Sequence, residues 1–538
     1  MFSKTRGFRS KENDRIAVAL VYPNTYEVGM ANLGFQAIFR LLNSFGSVVC
    51  ERVFLPQGER PVTSTESGRT LTECDIIAFS FSFELDYVNA VQMLMHSGIS
   101  LRSEDRDERT PLIMAGGVSV TLNPEPMASI IDLFVIGESE EVLGTLLNSY
   151  MRHRRQCASR HEILVSLARL PGIYVPRCYQ LHYNPDGTIA KIEPLQGAPA
   201  RVRRQHVQEI GTVHAFSQAV SPRSHFKDMF LVEVGRGCPR GCSFCASGYI
   251  YRPFRCRSKE ALLSLIENND SGAKKVGLVG SAISDHRDFE ELCVELVDRG
   301  YQLGVSSFRA DALTPRLVEA FVRGGIRTLT MAPETGSEKL RFRIHKRLTD
   351  DHIFKATHRA SAGGIINLKL YFLIGIPFEE ESDVAAIVSL VKRTHRVFFQ
   401  QRGKKGTITV SVHPFVPKAS TPFQWSPMQP VKPLKEKLNI LEAGLRGIRG
   451  VRFSPKSPRN ALLQGMFSVG DRRIGEALRA KVQGGVLWKR AWEQAKVEPE
   501  FFLHREKTFE EVLPWDVLDS GIEKRVLWNQ YKKARDSG

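Results

Sequence analysis

The stretch that decides the fold is Phe230-Leu-Val-Glu-Val-Gly-Arg-Gly-Cys238-Pro-Arg-Gly-Cys242-Ser-Phe-Cys245. Its first five residues form an apolar run that predicts a buried β-strand, and the glycines after them predict a loop. That loop carries three cysteines in a C-x3-C-x2-C pattern. Thiolates spaced two or three residues apart can converge on a metal centre, and iron–sulfur clusters are commonly held by such runs. The pattern therefore predicts a metal site directly after a strand.

The number of cysteines bears on which metal centre is expected. A closed structural zinc site or a ferredoxin-type cluster requires a fourth ligand. The nearest spare thiol, Cys256, lies eleven residues beyond Cys245 between Arg255 and Arg257, and these basic surroundings are equally consistent with a free thiol. Three thiolates on a cubane leave one iron open, as a catalytic site requires. A structural zinc site or an accidental spacing is the alternative.

Strand-like runs recur after the cysteine loop. Five of them follow, at residues 275–279, 302–306, 328–331, 367–374 and 407–412. Helix-length segments separate these runs. Six strands that alternate with helices predict a partly closed (βα)6 barrel.

The first part of the chain shows the same alternation. Apolar runs at 15–22, 75–82, 111–117 and 132–137 alternate with amphipathic stretches. Such runs are typical of a parallel sheet covered by helices on both faces, and ligands of these sheets lie beyond the carboxyl ends of the strands. We therefore predict an amino-terminal doubly wound, Rossmann-like domain.

Together these elements predict an α/β protein with four regions. Residues 1–155 are expected to form the Rossmann-like domain, 156–225 a connector of short strands and loops, and 226–430 the barrel. Residues 431–538, which contain four tryptophans, are expected to form a helical carboxyl-terminal region.

Composition excludes several classes of protein. With 42% hydrophobic and 25% charged residues, the chain has ordinary globular composition, unlike a disordered or fibrous protein. Apolar runs such as 368–376 are well short of the roughly 18 residues of a membrane helix, so a soluble protein is expected. The charged segment 1–15 has no apolar core of a secretory signal, which makes the cytoplasm the expected location. Nine cysteines are too few for a disulfide scaffold.

The net charge permits several partners. The chain has 75 Lys and Arg residues against 58 Asp and Glu residues, a formal net charge of +17. This excess is consistent with a nucleic acid, an anionic substrate or a merely basic surface, because net charge governs solubility and association rather than chemistry. No recognisable RNA-binding module accompanies the basic residues of the carboxyl-terminal region.

The cysteine loop resembles that of the radical S-adenosylmethionine (AdoMet) enzymes. The resemblance rests on the cysteine spacing, on Phe244 before the last cysteine, and on the place of the loop after the first barrel strand. It implies that Cys238, Cys242 and Cys245 hold a 4Fe–4S cluster whose open iron is chelated by AdoMet. Reductive cleavage of AdoMet then yields methionine and a 5′-deoxyadenosyl radical that abstracts hydrogen from the substrate. It also implies a reductant such as flavodoxin or ferredoxin.

Later segments match the same superfamily in order and spacing. Gly280 and Ser281 end the second strand, where the resemblance implies contact with the methionine amino group. Glu334 lies in an E-T-G-S segment near the implied AdoMet ribose and carboxylate, with a surface carboxylate as the alternative. Gly375 and Pro377 form the G-x-P turn that the resemblance places against the adenine.

Two cations lie near these segments in the sequence. Arg309 closes the third strand, where its guanidinium suits the AdoMet carboxylate, and a salt bridge to Asp311 is an equal alternative. Lys346 follows the glutamate segment at a distance where related enzymes often have a basic residue.

A doubly wound domain before such a barrel resembles the cobalamin-binding class of these enzymes. Gly116, Gly117 and Gly137 lie in segments similar to those that face the nucleotide tail of the corrinoid. The D-x-H-x-x-G motif that supplies a histidine ligand to cobalt is absent, although many members of the class bind cobalamin without it. The alternative is a degenerate flavodoxin-like domain retained for substrate access or partner contact.

Four further segments together resemble one largely uncharacterised subfamily. They are residues 24–34, 248–255, 413–425 and 513–516. The leading hypothesis is a cobalamin-dependent radical methyltransferase that acts on an unactivated carbon of an unknown substrate. The alternatives are a tRNA-modifying, methylthiotransferase-like enzyme, a radical enzyme that does not methylate, and a binding protein with a structural metal.

Overall fold

A computed structural model describes residues 15–58, 60–213, 215–217, 226, 228–269, 271–403 and 405–537. The charged segment 1–14, on which the predicted lack of a secretory signal rests, lies outside these residues. The same is true of residues 218–225, where the connector was expected to end. Within the described ranges, no helix combines the length and the apolar character needed to cross a membrane.

The first sheet has six strands in the order β2-β1-β3-β4-β5-β6. They are β1 (Ile16–Tyr22), β2 (Val48–Phe54), β3 (Ile76–Ser80), β4 (Leu112–Gly116), β5 (Leu133–Val135) and β6 (Ile173–Tyr174). The first five strands are parallel, and β6 pairs antiparallel with β5. All seven residues of β1 are buried, since helices cover both faces of the sheet.

Six helices accompany this sheet. They are α1 (Tyr26–Gly29), α2 (Leu33–Ser44), α3 (Asp86–His96), α4 (Val118–Leu122), α5 (Leu143–Arg155) and α6 (Arg160–Leu167). In the sheet, β2 lies on one side of β1 and β3 lies on the other. This reversal of strand order is the point at which doubly wound sheets bind ligands, beyond the carboxyl ends of their strands.

The remaining strands form the barrel and three two-stranded pairs. They are β7 (Tyr179–Tyr183), β8 (Ile189–Pro194), β9 (Val202–Arg203), β10 (Met229–Glu233), β11 (Gly235–Arg236), β12 (Arg255–Cys256), β13 (Lys275–Val279), β14 (Gln302–Val305), β15 (Thr328–Glu334), β16 (Asn367–Ile374), β17 (Thr407–Pro414), β18 (Val451–Pro455) and β19 (Leu518–Asp519). The two-stranded pairs are β7-β8, β11-β12 and β9-β19. Strands β7 and β8 form an antiparallel hairpin.

The barrel wall consists of two parallel sheets, β10-β13-β14 and β15-β16-β17-β18. The six predicted barrel strands are all present, which confirms the predicted α/β fold class. One contact between the two sheets is the hydrogen bond from the Phe308 amide to the Thr330 carbonyl, at 2.9 Å. Because the strands form two separate sheets and not one continuous ring among the described residues, the wall is only partly closed.

The helices of this part follow the βα order. They are α7 (Lys259–Glu267), α8 (Phe289–Asp298), α9 (Pro315–Arg323), α10 (Glu338–Arg343), α11 (Asp350–Ala362), α12 (Glu381–Arg402), α13 (Val431–Leu445), α14 (Pro458–Val469), α15 (Arg473–Gly484), α16 (Trp488–Gln494) and α17 (Lys524–Asp536), with a π-helix at Glu500–His504.

The carboxyl-terminal region is mostly helical, as expected. It also supplies one strand to the barrel and one to the connector. Strand β18 extends the barrel beside β17, and β19 pairs with β9 of the connector. Arg472 bonds to the buried Glu125 of the first domain, with Nε 2.9 Å from Oε2. This region therefore ties the barrel to the Rossmann-like sheet.

Candidate active site

The cysteine loop is closed at its base by a two-stranded ribbon. Strands β11 and β12 pair antiparallel on either side of it, with Gly235 opposite Cys256. Gly237 has a positive φ of +82°, and a Cβ there would lie 2.3 Å from the Tyr251 carbonyl oxygen. Only glycine fits this close backbone approach. The loop is thus folded back tightly on itself before the first predicted ligand.

The three predicted ligand thiols lie together on this loop. The amide of Cys245 donates to the Cys242 carbonyl at 3.1 Å. Burial raises the pKa of Cys242 to about 12, and burial also raises the pKa of Cys238. The nearby Cys245 thiol adds to the increase in both pKa values. The structure therefore brings the three thiols close enough to affect one another.

The donor set suits an iron–sulfur cluster, which is commonly held by closely spaced cysteine thiolates. Among the described residues, no group of three or more His, Cys, Asp or Glu side chains is arranged to hold one metal ion. In a cubane, however, each thiolate binds a different iron, so the sulfurs need not converge on one point. Three adjacent thiols of this kind suit a 4Fe–4S cluster.

Cys256 occupies a different environment from these three thiols. It lies in β12 at the base of the loop and is exposed. Although the residue as a whole is exposed, atoms packed around its sulfur partly exclude water and raise its pKa to about 11, and the charge of Asp285 adds to this increase. Its position does not favour a fourth ligand.

Glu334 and Lys346 form an ion pair beside the cysteine loop. Lys346 Nζ donates to Glu334 Oε1 at 2.9 Å, and the two side chains are 10% and 13% exposed. Glu334 is thus a mostly buried carboxylate held by a lysine. Burial lowers the pKa of Lys346, but the charges of Glu334 and Cys242 outweigh it, so the pKa is raised. The lysine is charged and faces the Cys242 thiol.

Arg309 is already engaged by a carboxylate of the chain. Its Nε and Nη2 donate to the two carboxylate oxygens of Asp311 at 2.9 and 2.8 Å. The structure therefore contains the salt bridge that was the alternative to an AdoMet contact. Arg309 also contacts the Lys346 carbonyl, with Nη2 at 3.4 Å, and its charge lowers the pKa of Cys242 against the effect of burial.

The second-strand and fifth-strand residues lie at different places around the barrel mouth. A Cβ on Gly280 would lie 3.2 Å from the Gly235 carbonyl oxygen, so Gly280 is next to the base of the cysteine loop, and Ser281 beside it is exposed. Gly375 has a φ of +72° and lies against α13, where a Cβ would be 2.7 Å from Leu434 Cδ2. Pro377 follows it in the turn that leads to α12.

Two of the three glycines predicted to face a corrinoid are required by packing within the chain. A Cβ on Gly117 (φ +108°) would lie 2.4 Å from the Phe81 carbonyl oxygen. One on Gly137 (φ +100°) would lie 2.2 Å from the Gln205 carbonyl oxygen. At Gly116 the nearest atom, on Val135, would be 3.9 Å away. Of the three, only Gly116 could take a methyl group without a close contact.

Glu138, which sequence reasoning did not identify as a site residue, connects the first sheet to the cysteine loop. It follows β5 and accepts from Arg236 at 2.9 Å and from Arg255 at 2.6 Å, one residue on each strand of the closing ribbon. Burial would raise the pKa of Glu138, but the two arginines hold it below its ordinary value. The motif that contains Gly137 therefore fixes the base of the loop.

A second buried ion pair joins the carboxyl-terminal ends of the strands of the first sheet to those of the barrel. Glu84, which follows β3, bonds to Lys418, which follows β17, and Gln464 Nε2 donates to Glu84 at 3.0 Å. Near this pair, the buried Tyr87 hydroxyl interacts with the hydroxyl of Ser119 and with the charge of Glu84.

A polar face of the barrel strands was also missed. Ser411 Oγ and His413 Nε2 are 3.1 Å apart, and the Tyr371 ring lies 5.7 Å from the His413 ring. Lys369 Nζ lies 4.9 Å from the centre of Tyr371. Burial, together with Lys456 and Lys369, lowers the pKa of His413, so its imidazole is a proton acceptor near neutral pH.

Two segments noted in the sequence contact each other. Trp515 Nε1 donates to Gln424 Oε1 at 2.7 Å, which joins the 513–516 segment to the loop after β17. Tyr249, at the end of the cysteine loop, donates to Gln530 Oε1 of α17 at 3.0 Å. The carboxyl-terminal region therefore covers the cysteine loop.

Comparison with solved structures identifies the fold. One similar structure is that of OxsB, a cobalamin-dependent AdoMet radical enzyme, with aqua-cobalamin and AdoMet bound. The alignment covers 97% of this chain and 79% of the OxsB chain, with a TM-score of 0.52 and 13% sequence identity. TsrM of Kitasatospora setae, a radical AdoMet methyltransferase, matches 73% of this chain and 72% of its own, with a TM-score of 0.47 and 12% identity.

Sequence comparison gives one curated relative and two family matches. An uncharacterized protein of Methanocaldococcus jannaschii is 28% identical over 76% of this chain and 79% of its own length. The family described as "Radical SAM proteins, N-terminal" matches residues 34–176, and "Radical SAM superfamily" matches residues 232–391. The two ranges together span more than half of the chain and include the cysteine loop. The chain therefore belongs to the radical AdoMet superfamily.

Proposed function

We propose that this radical AdoMet enzyme is a cobalamin-dependent methyltransferase that methylates an unactivated carbon. Membership of the superfamily implies a 4Fe–4S cluster and AdoMet as cofactors. We assign cobalamin to the region 1–155 and the other two cofactors to the region 226–430. The substrate class stays open, and we place the reaction in the cytoplasm.

In this proposal the cysteine loop holds the cluster through Cys238, Cys242 and Cys245. When bound, the cluster supplies the electron that cleaves AdoMet reductively. Gly280 and Ser281 are assigned to AdoMet, whereas the Arg309 guanidinium is held by Asp311 beside the loop. The Lys346 ammonium, which is buried against Glu334, places a fixed positive charge beside Cys242. A cation there favours thiolates over thiols and so favours cluster binding.

The adenine is assigned to the turn of Gly375 and Pro377. Gln429 Oε1, which is buried and has no hydrogen-bond partner among the described residues, would lie 3.3 Å from a Cβ at Gly375. An unpaired acceptor is costly to bury, and the exocyclic amine of an adenine would satisfy it.

One observation carries the assignment of cobalamin: the carboxyl edges of the two sheets face each other. Glu84 after β3 bonds to Lys418 after β17, and Glu138 after β5 bonds to Arg236 beside the cysteine loop. Ligands of parallel sheets bind at such edges. A cofactor on the first sheet would therefore lie opposite one on the barrel, as transfer of a methyl group between them requires.

The topology of the first sheet supports a ligand at this edge. A Cβ at Gly116 would have its nearest neighbour, on Val135, at 3.9 Å, so nothing packs tightly against this residue. The strand order 2-1-3-4-5 gives this edge its switch point between β1 and β3. OxsB, whose fold this chain shares, is by its description a cobalamin-dependent enzyme, which supports the same assignment.

The test is anaerobic reconstitution with iron, sulfide and hydroxocobalamin. We expect one corrinoid per chain, 5′-deoxyadenosine after reduction with dithionite, and transfer of the labelled methyl group of AdoMet to the bound corrinoid. A chain that forms 5′-deoxyadenosine but binds no corrinoid would be a radical enzyme of another kind. Bound zinc with no cleavage of AdoMet would contradict the whole proposal.

A further inference from the structure

A polar cluster lies on the inner face of the barrel wall, among residues to which no cofactor is assigned. Its members are Lys369, Tyr371, Ser411, His413 and Lys456, and we call these five residues the lumenal cluster. The first two lie on β16, the next two lie on β17, and Lys456 directly follows β18. Three neighbouring strands therefore contribute to one site.

The pairing of β16 with β17 places four members of the cluster on one face. The even-numbered residues 368–374 of β16 are fully buried. Because side chains alternate along a strand, Lys369 and Tyr371 lie on the other face, which in a βα barrel is the inner one. Tyr371 lies opposite Ser411 in the parallel register, and His413 is the next residue of β17 on the same face.

The other members of the cluster surround His413. Its Nε2 lies 3.1 Å from Ser411 Oγ, and its ring lies 5.7 Å from the Tyr371 ring. Lys369 Nζ lies 4.9 Å from the centre of the same tyrosine ring. The amide of Lys456 donates to the carbonyl of the residue before His413 at 2.8 Å. The two lysines therefore approach the imidazole from the two strands that flank β17.

The cluster contains hydrogen-bond donors that the chain leaves without an acceptor. Among the described residues, neither ammonium group has a hydrogen-bond or ion-pair partner, and the Tyr371 hydroxyl has no hydrogen-bond partner. Lys369 is half-buried, and a charge that is removed from water is costly unless it is paired. Lys346, by contrast, is paired with Glu334. The lumenal cluster therefore lacks an anion.

The charges that act on His413 are both positive. Burial lowers the pKa of His413, and Lys456 and Lys369 lower it further. A nearby carboxylate would act in the opposite direction. The inner face of the wall thus combines a neutral imidazole with two positive charges that no carboxylate offsets there.

The lumenal cluster is close to the predicted site of the radical chemistry. Glu334, whose charge acts on Cys242, lies opposite Phe372, and Phe372 directly follows Tyr371 in β16. His413 is the penultimate residue of β17. Ligands of parallel βα barrels lie at the carboxyl ends of the strands. A ligand of the cluster would therefore lie at the end of the barrel that carries the cysteine loop.

We propose that the lumenal cluster binds an oxyanion group of the substrate, either a carboxylate or a phosphate. Lys369 and Lys456 supply the positive charge, and the Tyr371 hydroxyl supplies a further donor. Because Lys369 is half-buried in the barrel wall, the cluster suits a small group that enters the barrel better than the backbone of a nucleic acid. The inference rests on the proposed function, to which it adds the chemical class of the substrate.

The test measures anion binding at His413 in the full-length chain by nuclear magnetic resonance. The histidines are isotope-labelled, and His413→Asn identifies the signals of the His413 ring. Inorganic phosphate and malonate are titrated separately near neutral pH at low salt, with malonamide as the uncharged analogue. Lys369→Met/Lys456→Met removes both charges of the cluster. Lys392→Met/Lys489→Met is the matched control, because both of its lysines are exposed, on α12 and α16.

We expect at least one of the two anions to shift the His413 signals of the wild type, and malonamide to leave them unchanged. The anion that binds more tightly gives the class of the substrate group. The Lys369→Met/Lys456→Met protein should bind this anion about tenfold or more weakly, and the control should stay within about twofold of the wild type. Lys456 is exposed, so Lys456→Met alone should fold, and it should bind about threefold or more weakly.

Three results would overturn the inference. In the first, neither anion shifts the His413 signals, or malonamide shifts them as strongly. In the second, both Lys456→Met and the double variant of the cluster bind the anion as tightly as the control does. In the third, bulk tRNA shifts these signals and the two small anions do not. The titrations need no cofactor, so a chain that fails to assemble an iron–sulfur cluster contradicts the proposed function while the anion measurement stays valid.

Discussion

Lys346 Nζ lies 2.9 Å from Glu334 Oε1, and this buried pair borders the Cys242 thiol. The lysine comes from the turn after α10, and the glutamate ends β15 with a φ of +72°. A positive φ is strained for a residue other than glycine, and such strain persists only where the surrounding structure fixes it. The pair thus keeps one cation at a fixed place beside the predicted cluster.

The first prediction concerns the reduction potential. Reduction adds negative charge to a cluster, and a nearby cation stabilises that charge. Lys346→Met should lower the midpoint potential by on the order of 100 mV, because a unit charge about 4 Å away contributes about 4 kcal/mol at an effective dielectric constant of about 20. A redox titration monitored by electron paramagnetic resonance measures the change. Lys339→Met, an exposed lysine on α10, is the control, and equal potentials in both variants would contradict the role of Lys346.

The second prediction concerns Glu138. Glu138→Gln leaves Arg236 and Arg255 partly unpaired in a buried site, and breaking a buried pair costs about 3–5 kcal/mol. We therefore expect a lower free energy of unfolding in urea and a cysteine loop that is more sensitive to protease. Glu193→Gln disrupts the exposed pair with Lys191, which is worth about 1 kcal/mol at most. Equal losses in the two variants would show that Glu138 does not hold the loop.

The third prediction separates ligand contact from packing at two adjacent glycines. Gly116→Ala adds a methyl group where the chain has room, so stability should be kept while hydroxocobalamin binds roughly tenfold or more weakly. Gly117→Ala instead meets the Phe81 carbonyl at a positive φ, which costs about 1–3 kcal/mol in folding. Thermal unfolding and corrinoid titration measure both effects. Unchanged corrinoid affinity in Gly116→Ala would remove this residue from the site.

The fourth prediction concerns Lys507, which is fully buried and has its pKa lowered to about 8 by burial and by Arg505. Between pH 8 and the ordinary value of 10.5, the unfolded chain binds more protons at this residue than the folded chain does. Stability should therefore rise with pH across this window, by on the order of 3 kcal/mol. Lys507→Met removes the effect, so the difference between the two proteins in urea unfolding isolates it. A parallel pH profile in the variant would contradict the lowered pKa.

Local patterns in the sequence predicted most of the fold. The apolar runs of β1, β13 and β16 identify strands because each must be buried among its neighbours. The spacing of the three cysteines likewise placed them on one loop. Strand β18 was not predicted, since its residues Val451–Pro455 are only partly buried and its pairing with β17 depends on a distant partner.

The contacts between distant segments were not predictable from one sequence. Glu138 and Arg236 are 98 residues apart, and Glu84 and Lys418 are 334 apart, so spacing gives no indication of either pair. Arg309 had two candidate partners, and only the geometry shows that Asp311 occupies it. For Gly117 and Gly137, the sequence could not distinguish a ligand from the close approach of another backbone segment.

The most direct measurement is the metal content of the anaerobically reconstituted chain and of its single cysteine variants. The wild type and Cys256→Ala should each hold about four irons and four sulfides and form 5′-deoxyadenosine with dithionite. Cys238→Ala, Cys242→Ala and Cys245→Ala should each lose the cluster and the product. An intact cluster in any of these three variants, or zinc in place of iron in the wild type, would contradict the assignment of the cysteine loop as the cluster site.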